Sequence, residues 1–295
     1  MKIASFDHFR VGVADGNTVY DMTDLLPAFL NDLPKQRINW LISNWSELQP
    51  IFKNFKQKGK ACSLDSIQLL SANPGAPNVF AAPANYQKHI GELGDRAITK
   101  PSRSARQQGF FLKSPASMVG SGNHLILPKG STRRFDHESE LAVIIGKAGR
   151  HIPQKDAMSH IFGYACLIDA TMRIEPGVAE EERSMRKSFE TFTPTGPYLV
   201  TADEVPNPSN LKNRLWINNV LKQSANTSEM IVGIAELIEM ISSVLPIQVG
   251  DVIATGTPEG VGPMKIDDIV RIEIDCVGTM ELKVTACDTT APRAY

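Results

Sequence analysis

Phe135-Asp136-His137-Glu138-Ser139-Glu140-Leu141-Ala142-Val143-Ile144-Ile145-Gly146 is the stretch whose reading decides the fold. Residues 141–145 are apolar, mostly branched and closed by Gly146, which predicts a strand buried on both faces. At its entrance Glu138 and Glu140 flank a single serine. Positions i and i+2 of a strand share a face about 7 Å apart, at roughly 3.3 Å rise per residue. Two carboxylates so placed repel each other unless a cation lies between them. Oxygen donors suit Mg²⁺, Mn²⁺ or Ca²⁺. The same spacing also describes a solvated strand end whose glutamates face water, so the choice turns on the rest of the chain.

Outward on the C-terminal side, residues 160–169 (HIFGYACLID) form a second buried apolar strand ending in an acid. Beyond it Asp169, Thr171 and Arg173 alternate onto one face of any extended continuation. Residues 175–187 are charged and read as partly helical, and 191–197 (TFTPTGP) as a turn-rich lead into a strand at 198–200. A hairpin is expected around Asn218-Asn219, and a helix over 234–244 stopped by Pro246. A strand at 251–254 opens into Thr255-Gly256-Thr257-Pro258-Glu259-Gly260, and strands at 269–274 and 280–285 close the chain.

On the N-terminal side, residues 110–115 (FFLKSP) have strand character. Residues 93–108 are polar and carry Arg96, Lys100, Arg103 and Arg106 without apolar periodicity, the composition of a mobile loop or lid. His89 and Glu92 share a face of a helical turn. A carboxylate beside an imidazole fixes its tautomer and raises its basicity, as a general base for water requires, although a surface ion pair has the same spacing. Residues 79–82 read as a short strand. Asn73-Pro74-Gly75-Ala76-Pro77 interrupts regular structure and marks a domain boundary. Before it come a hairpin around Asp15-Gly16-Asn17, one amphipathic helix from Ile38 through Phe55 to near Gly59, and a closing strand at 67–70. Residues 1–73 are therefore expected to form a small α/β cap domain, and 74–295 a β-rich catalytic domain. Many strands, few helices and no βαβ alternation give an α+β, β-rich chain rather than a Rossmann or TIM architecture.

The formal net charge of −1 gives no electrostatic reason to expect nucleic acid or an anionic membrane as partner. No apolar run approaches the ~20 residues of a transmembrane helix, and the opening residues hold no signal-peptide core. Cys62, Cys166, Cys276 and Cys287 show neither zinc spacing nor the density of a disulfide scaffold. Reduced cysteines in a cytoplasmic protein are the expectation.

Several motifs occur in a telling order: Asn85-Tyr86 with His89 and Glu92; Phe111-Leu112-Lys113; Glu138-Ser139-Glu140-Leu141-Ala142-Val143; and Asp169 to Arg173. They are followed by Lys187 with Thr193-Pro194-Thr195-Gly196-Pro197, Gln223 with Asn226-Thr227, and Gly250-Asp251-Val252-Ile253 with the 255–260 turn. In that order they resemble the catalytic domain of the fumarylacetoacetate hydrolase family over residues 79–285. The resemblance implies a β-roll domain, a divalent metal and a homodimer. It places the metal on Glu138, Glu140 and Asp169, with Mg²⁺ expected and Mn²⁺ or Ca²⁺ suiting the same donors. Lys187 matches the family lysine beside the site and joins His89 and Glu92 as a catalytic candidate. Tyr86, Arg173, Gln223 and Thr257 are candidates for substrate binding. Thr257, with N–H groups of its turn, can hold a substrate carboxylate. Arg173 either orients that end of the site or buttresses Asp169, and Gln223 is either a polar wall or a hairpin surface residue. His137 and Glu190 depart from the family pattern, as does the longer lid.

The reaction implied is hydrolysis of a C–C bond in a 2,4-dioxo acid, an acylpyruvate such as fumarylpyruvate. The ion takes the pyruvoyl end and stabilises enolate charge as a Lewis acid. His89, oriented by Glu92, deprotonates the water that attacks the distal carbonyl. Isomerisation of a 2-hydroxyhepta-2,4-diene-1,7-dioate type compound and decarboxylation of oxaloacetate need the same electrophile. A catalytically silent keto-acid binder would keep the metal but has no use for His89 and Glu92. The lid cations can select a second, distal carboxylate.

Overall fold

Leu141, Val143 and Ile145 enter one apolar cluster while Ala142 and Ile144 enter another, so the strand Ser139–Ile145 is buried on both faces. In the computed structural model, which describes residues 1–93, 103–174 and 183–290, this strand runs antiparallel to Ile161–Ile168 on one side and to Val252–Ala254 on the other. Val79–Ala81 lies parallel to Val252–Ala254, and Phe111–Lys113 closes that edge. In the other direction Thr193–Thr201 pairs with Ile161–Ile168 and then with Lys2–Phe6. Lys2–Phe6 is followed by Arg10–Asp15, Thr18–Asp21 and Lys60–Ser63. With Met118–Val119 beside Thr193–Thr201, the described residues make an eleven-stranded sheet.

A five-stranded sheet runs in the order Val220–Asn226, Lys212–Ile217, Ile269–Ile274, Gly278–Thr290, Leu125–Lys129. Its Leu215, Ile272, Met280 and Leu282 share the first cluster with Leu141, Val143, Tyr164, Cys166 and Ile168. Burying apolar faces of both sheets together is what holds such layers, at ~25 cal/mol per Å² of apolar surface. Helix Ile234–Val244 adds Ile234, Leu237, Ile238 and Ile241 to that cluster. Ile3, Val13, Leu41 and Phe52 from the first segment of the chain cover the other face. The fold is α+β and β-rich, as the strand-rich pattern predicts.

Three local expectations are corrected. The single helix over 38–55 is three helices, Arg37–Ser43, Trp45–Lys53 and Phe55–Lys58. Asn44 and Asn54 leave helical geometry at the breaks, and their side-chain amides donate to the carbonyls of Trp40 (2.8 Å) and Pro50 (2.9 Å), competing with the backbone ladder. Residues 67–70 form no strand. Leu69 makes one bridge to Phe6, and Lys60–Ser63 closes the hairpin instead. The stretch at 191–197 is mostly strand, because Thr193–Thr201 is continuous through the cis Gly196-Pro197 bond. The ladder passes from Tyr164↔Val200 to Cys166↔Gly196, so nothing is asked of the N–H that Pro197 lacks.

Of the expected lid, residues 94–102, with Arg96 and Lys100, lie outside the described residues. Its far end is anchored, contrary to a loop without apolar contacts. Ala105 is fully buried in the capped helix Ala105–Gln108. Arg106 makes hydrogen bonds to both carboxylate oxygens of Glu236 (2.7 and 2.8 Å) and to the Ile231 carbonyl (2.8 Å). Residues 175–182 of the charged segment also lie outside, and helix Arg183–Arg186 follows them.

Candidate active site

Glu140 stands at the start of Ser139–Ile145, and Glu138 in the break between that strand and Phe135–His137. Asp169 comes directly after Ile161–Ile168. The antiparallel pair Ser139↔Ile168 and the bond from Asp169 N to the Glu138 carbonyl (2.8 Å) bring the two strand ends together. One carboxylate oxygen from each of the three acids lies within 4.8 Å of the others, and all three residues are buried.

Two lysines are built into this cluster. The Lys187 ammonium donates to Glu138 Oε2 (2.8 Å), Asp169 Oδ2 (2.6 Å) and Thr171 Oγ1 (2.7 Å). Lys113, at the end of Phe111–Lys113, donates to Asp169 Oδ1 and to the Phe192 carbonyl. Its side chain is wholly buried. The sequence alone assigns Lys113 no role, and the signal that points to one is a buried lysine at the end of a largely apolar strand. Arg173 bridges Asp136 Oδ2 (2.7 Å) and Glu138 Oε1 (2.6 Å), so the acid that it buttresses is Glu138 rather than Asp169.

The charges separate the two glutamates. Burial pushes the Glu138 carboxyl up, but Lys187 and Arg173, with a smaller contribution from His89, hold it well below the usual range. Burial and then the neighbouring Asp169 and Glu138 charges push Glu140 well above it. Its Oε2 accepts one backbone bond, from Gly256 N (2.6 Å). Gly256 has φ +95°, and a Cβ there would come 2.5 Å from Asn85 Cβ, so glycine is what lets this N–H reach the acid. Lys187 and Arg173 thus pair with Glu138, and Lys187 and Lys113 with Asp169, whereas among the described residues Glu140 has no cation at ion-pair distance. An all-oxygen donor set that includes one carboxyl without an ion-pair partner fits a hard divalent cation.

His89 and Glu92 lie on helix Gln87–Leu93, with His89 Nδ1 3.3 Å from Glu92 Oε2. Glu92 also accepts from Gly260 N (3.2 Å to each oxygen). Burial would raise its pKa, but His89 and the N–H groups of Gly260 and Val261 hold it below the usual range. His89 is buried. Among the described residues the buried Tyr86 hydroxyl has no hydrogen-bond partner, and burial followed by the Glu140 charge pushes its pKa up. Thr257 is buried and accepts from Gln223 Nε2 (2.8 Å). Gln223 is no surface residue, and its amide is spent on the protein, with bonds to Ser139, His137, Thr257 and Pro258. The structure therefore sets Lys187 and Arg173 on the acids, joins His89 to Glu92 beside the turn whose Gly256 N–H holds Glu140, and ties Thr257 of that turn through Gln223 to Ser139, between the two glutamates.

The likenesses of the chain run over its whole length. It is 40% identical over 294 residues to a maleylpyruvate hydrolase of Aquipseudomonas alcaligenes, covering 96% of this chain and 99% of that one. The crystal structure of maleylpyruvate hydrolase from Sphingobium sp. SYK-6, in complex with manganese(II) and pyruvate, superposes with a TM-score of 0.82 at 35% identity, covering 97% and 99% of the two chains. A probable 2-hydroxyhepta-2,4-diene-1,7-dioate isomerase from Mycobacterium abscessus superposes at 0.78 with 29% identity, covering 98% and 99%. Residues 78–285 match the model of the fumarylacetoacetate (FAA) hydrolase C-terminal domain. A buried acidic triad that fits a divalent cation and likeness along the chain to maleylpyruvate hydrolases, one of them crystallised with manganese(II), agree with that match, and the chain belongs to the fumarylacetoacetate hydrolase family.

Proposed function

We propose that the chain hydrolyses the C–C bond of an acylpyruvate of the maleylpyruvate or fumarylpyruvate kind, as a homodimer using Mg²⁺ or Mn²⁺. The observation that carries this reading is the buried His89 paired with Glu92, which is anchored by Gly260 in the same turn whose Gly256 N–H holds Glu140 of the acidic triad. A divalent ion on Glu138, Glu140 and Asp169 supplies, when bound, a Lewis acid for the 2-oxo acid end of the substrate. Lys187, fixed by three oxygen partners, sets a positive charge beside the carbon that becomes an enolate, and such preorganised charge carries much of the barrier reduction. Thr257 Oγ accepts the Gln223 amide hydrogen, which turns its own hydrogen outward to a substrate carboxylate. His89 takes a proton from water while Glu92 stabilises the imidazolium. The new C–O bond forms at the distal carbonyl, the C–C bond breaks, and the proton returns to the departing carbon. Water and acylpyruvate become pyruvate and a second acid.

The likeness to an isomerase favours one second reading, in which the same imidazole moves a proton between carbons of a dienedioate. A product assay separates the two. Maleylpyruvate, fumarylpyruvate, oxaloacetate and a 2-hydroxydienedioate are each incubated with Mg²⁺, with Mn²⁺ and with chelator. The expected outcome is metal-dependent release of pyruvate and dicarboxylic acid in equal amounts from the acylpyruvates. Product of unchanged mass would transfer the assignment to isomerisation, CO₂ to decarboxylation, and ligand binding without turnover to a silent binder.

A further inference from the structure

Gln223 lies on Val220–Asn226, the edge strand of the five-stranded sheet, yet it is fully buried, and both ends of its amide are occupied. Its Oε1 accepts from Ser139 N (3.0 Å) and lies 3.1 Å from His137 Nδ1. Its Nε2 donates to Thr257 Oγ1 (2.8 Å) and to the Pro258 carbonyl (2.9 Å). Ser139 is the residue between Glu138 and Glu140. It is gripped a second time by Asn213 on the neighbouring strand Lys212–Ile217, which takes the serine hydroxyl on Oδ1 and donates from Nδ2 to the serine carbonyl (3.2 Å). Thr257 and Pro258 continue the turn whose Gly256 N–H holds Glu140. One amide therefore fixes the backbone between two metal-directed carboxylates and, from its other end, the turn that orients one of them.

We infer that Gln223 is a positioning residue of the metal centre, setting the separation and direction of Glu138 and Glu140 without touching metal or substrate. Only a carboxamide supplies two donors and two acceptors in this geometry. A glutamate would turn oxygen lone pairs on the Pro258 carbonyl, and an apolar chain would leave four buried groups unpaired. Such outer partners are commonly worth ten- to a hundredfold in metal affinity.

The inference rests on the metal reading above, so its test is made on metal and without substrate. Metal-free protein is titrated with Mn²⁺ by calorimetry, at a temperature where circular dichroism shows every variant folded. Gln223→Met is expected to weaken Mn²⁺ binding by ~10–100-fold. Leu41→Ala, a cavity variant in the apolar cluster around Ile3 and Phe52, is expected to lower Tm without moving Mn²⁺ affinity. A Gln223→Met affinity within threefold of the parent overturns the inference, as does an equal loss in Leu41→Ala. If Gln223→Met does not fold, Thr257→Val removes one acceptor of the amide and decides in its place. A several-fold weaker Kd supports the inference, and an unchanged one overturns it. A parent protein that binds no Mn²⁺ overturns the metal reading itself, which is a different result from an insensitive variant.

Discussion

Glu140→Gln is expected to abolish the metal-dependent rise in Tm while leaving the metal-free protein at least as stable as the parent. The carboxyl pKa of Glu140 is raised by burial and by two neighbouring carboxylates. A group whose folded pKa is raised binds more protons folded than unfolded. Its ionised form therefore opposes folding at neutral pH, a cost that shrinks as the pH falls from the folded pKa toward the unfolded one and is gone only below the latter. Removing the charge at neutral pH relieves this cost, and the amide oxygen can still accept from Gly256 N. The same change deletes one of three anionic donors, so Mn²⁺ affinity should fall by more than the ~10–100-fold typical of outer partners. In the parent, metal at a hundred times Kd adds about 2.7 kcal/mol, roughly 4 °C in a chain of this size. Asp169→Ala should lose metal equally but also destabilise the metal-free protein, by roughly 3–5 kcal/mol, because the buried ammonium groups of Lys113 and Lys187 lose a counter-charge. Thermal melts with and without Mn²⁺, beside calorimetric titration, read both variants. A Glu140→Gln protein that keeps its metal-dependent rise would place the ion elsewhere.

His89→Ala is expected to lower kcat by ~10²–10⁴, the range of a lost general base, with Mn²⁺ affinity within threefold of the parent. The two readouts separate because His89 belongs to helix Gln87–Leu93, whereas the three acids come from strand ends in the large sheet. Glu92→Gln should cost less, because its side-chain oxygen can still accept from Gly260 N and from His89, and only the charge that stabilises the imidazolium is lost. Single-turnover measurements at saturating metal and substrate isolate the chemical step. Full activity in His89→Ala would remove water activation from this residue and leave proton transfer to be sought at another buried group such as Tyr86, whose hydroxyl has no hydrogen-bond partner among the described residues.

Much of the site was legible because strand periodicity is short-ranged. Glu138 and Glu140 converge as i and i+2 require, and Asp169 ends a strand whose apolar run is as plain as that of its neighbour. His89 and Glu92 likewise follow from helical spacing. Residues whose meaning depends on distant partners were harder to read. The Lys113 motif was visible in Phe111-Leu112-Lys113, but nothing local shows its ammonium reaching an acid more than fifty positions away. Gln223 looked like a hairpin residue or a polar wall because hydrogen-bond saturation is a property of the assembled site. The helix over 38–55 was drawn too long because its apolar stripe persists through Asn44 and Asn54, where side-chain amides compete for backbone carbonyls.

The strand Thr193–Thr201 touches both parts of the molecule, meeting Lys2–Phe6 through Lys2↔Val200 and Ile3↔Leu199. A chain cut to residues 74–295 would leave that flank of Thr193–Thr201 without its partner. It would also strip Ile3, Val13, Leu41 and Phe52 from Ile144, Ala165, Leu167 and Leu199. Unpaired N–H and C=O groups beside a bare apolar face template edge-to-edge association. Such a fragment, even with every acid of the triad in place, should appear in light scattering as growing aggregates rather than as a smaller enzyme. On that outcome, pairing with Lys2–Phe6 is what keeps the flank of Thr193–Thr201 from recruiting a second copy.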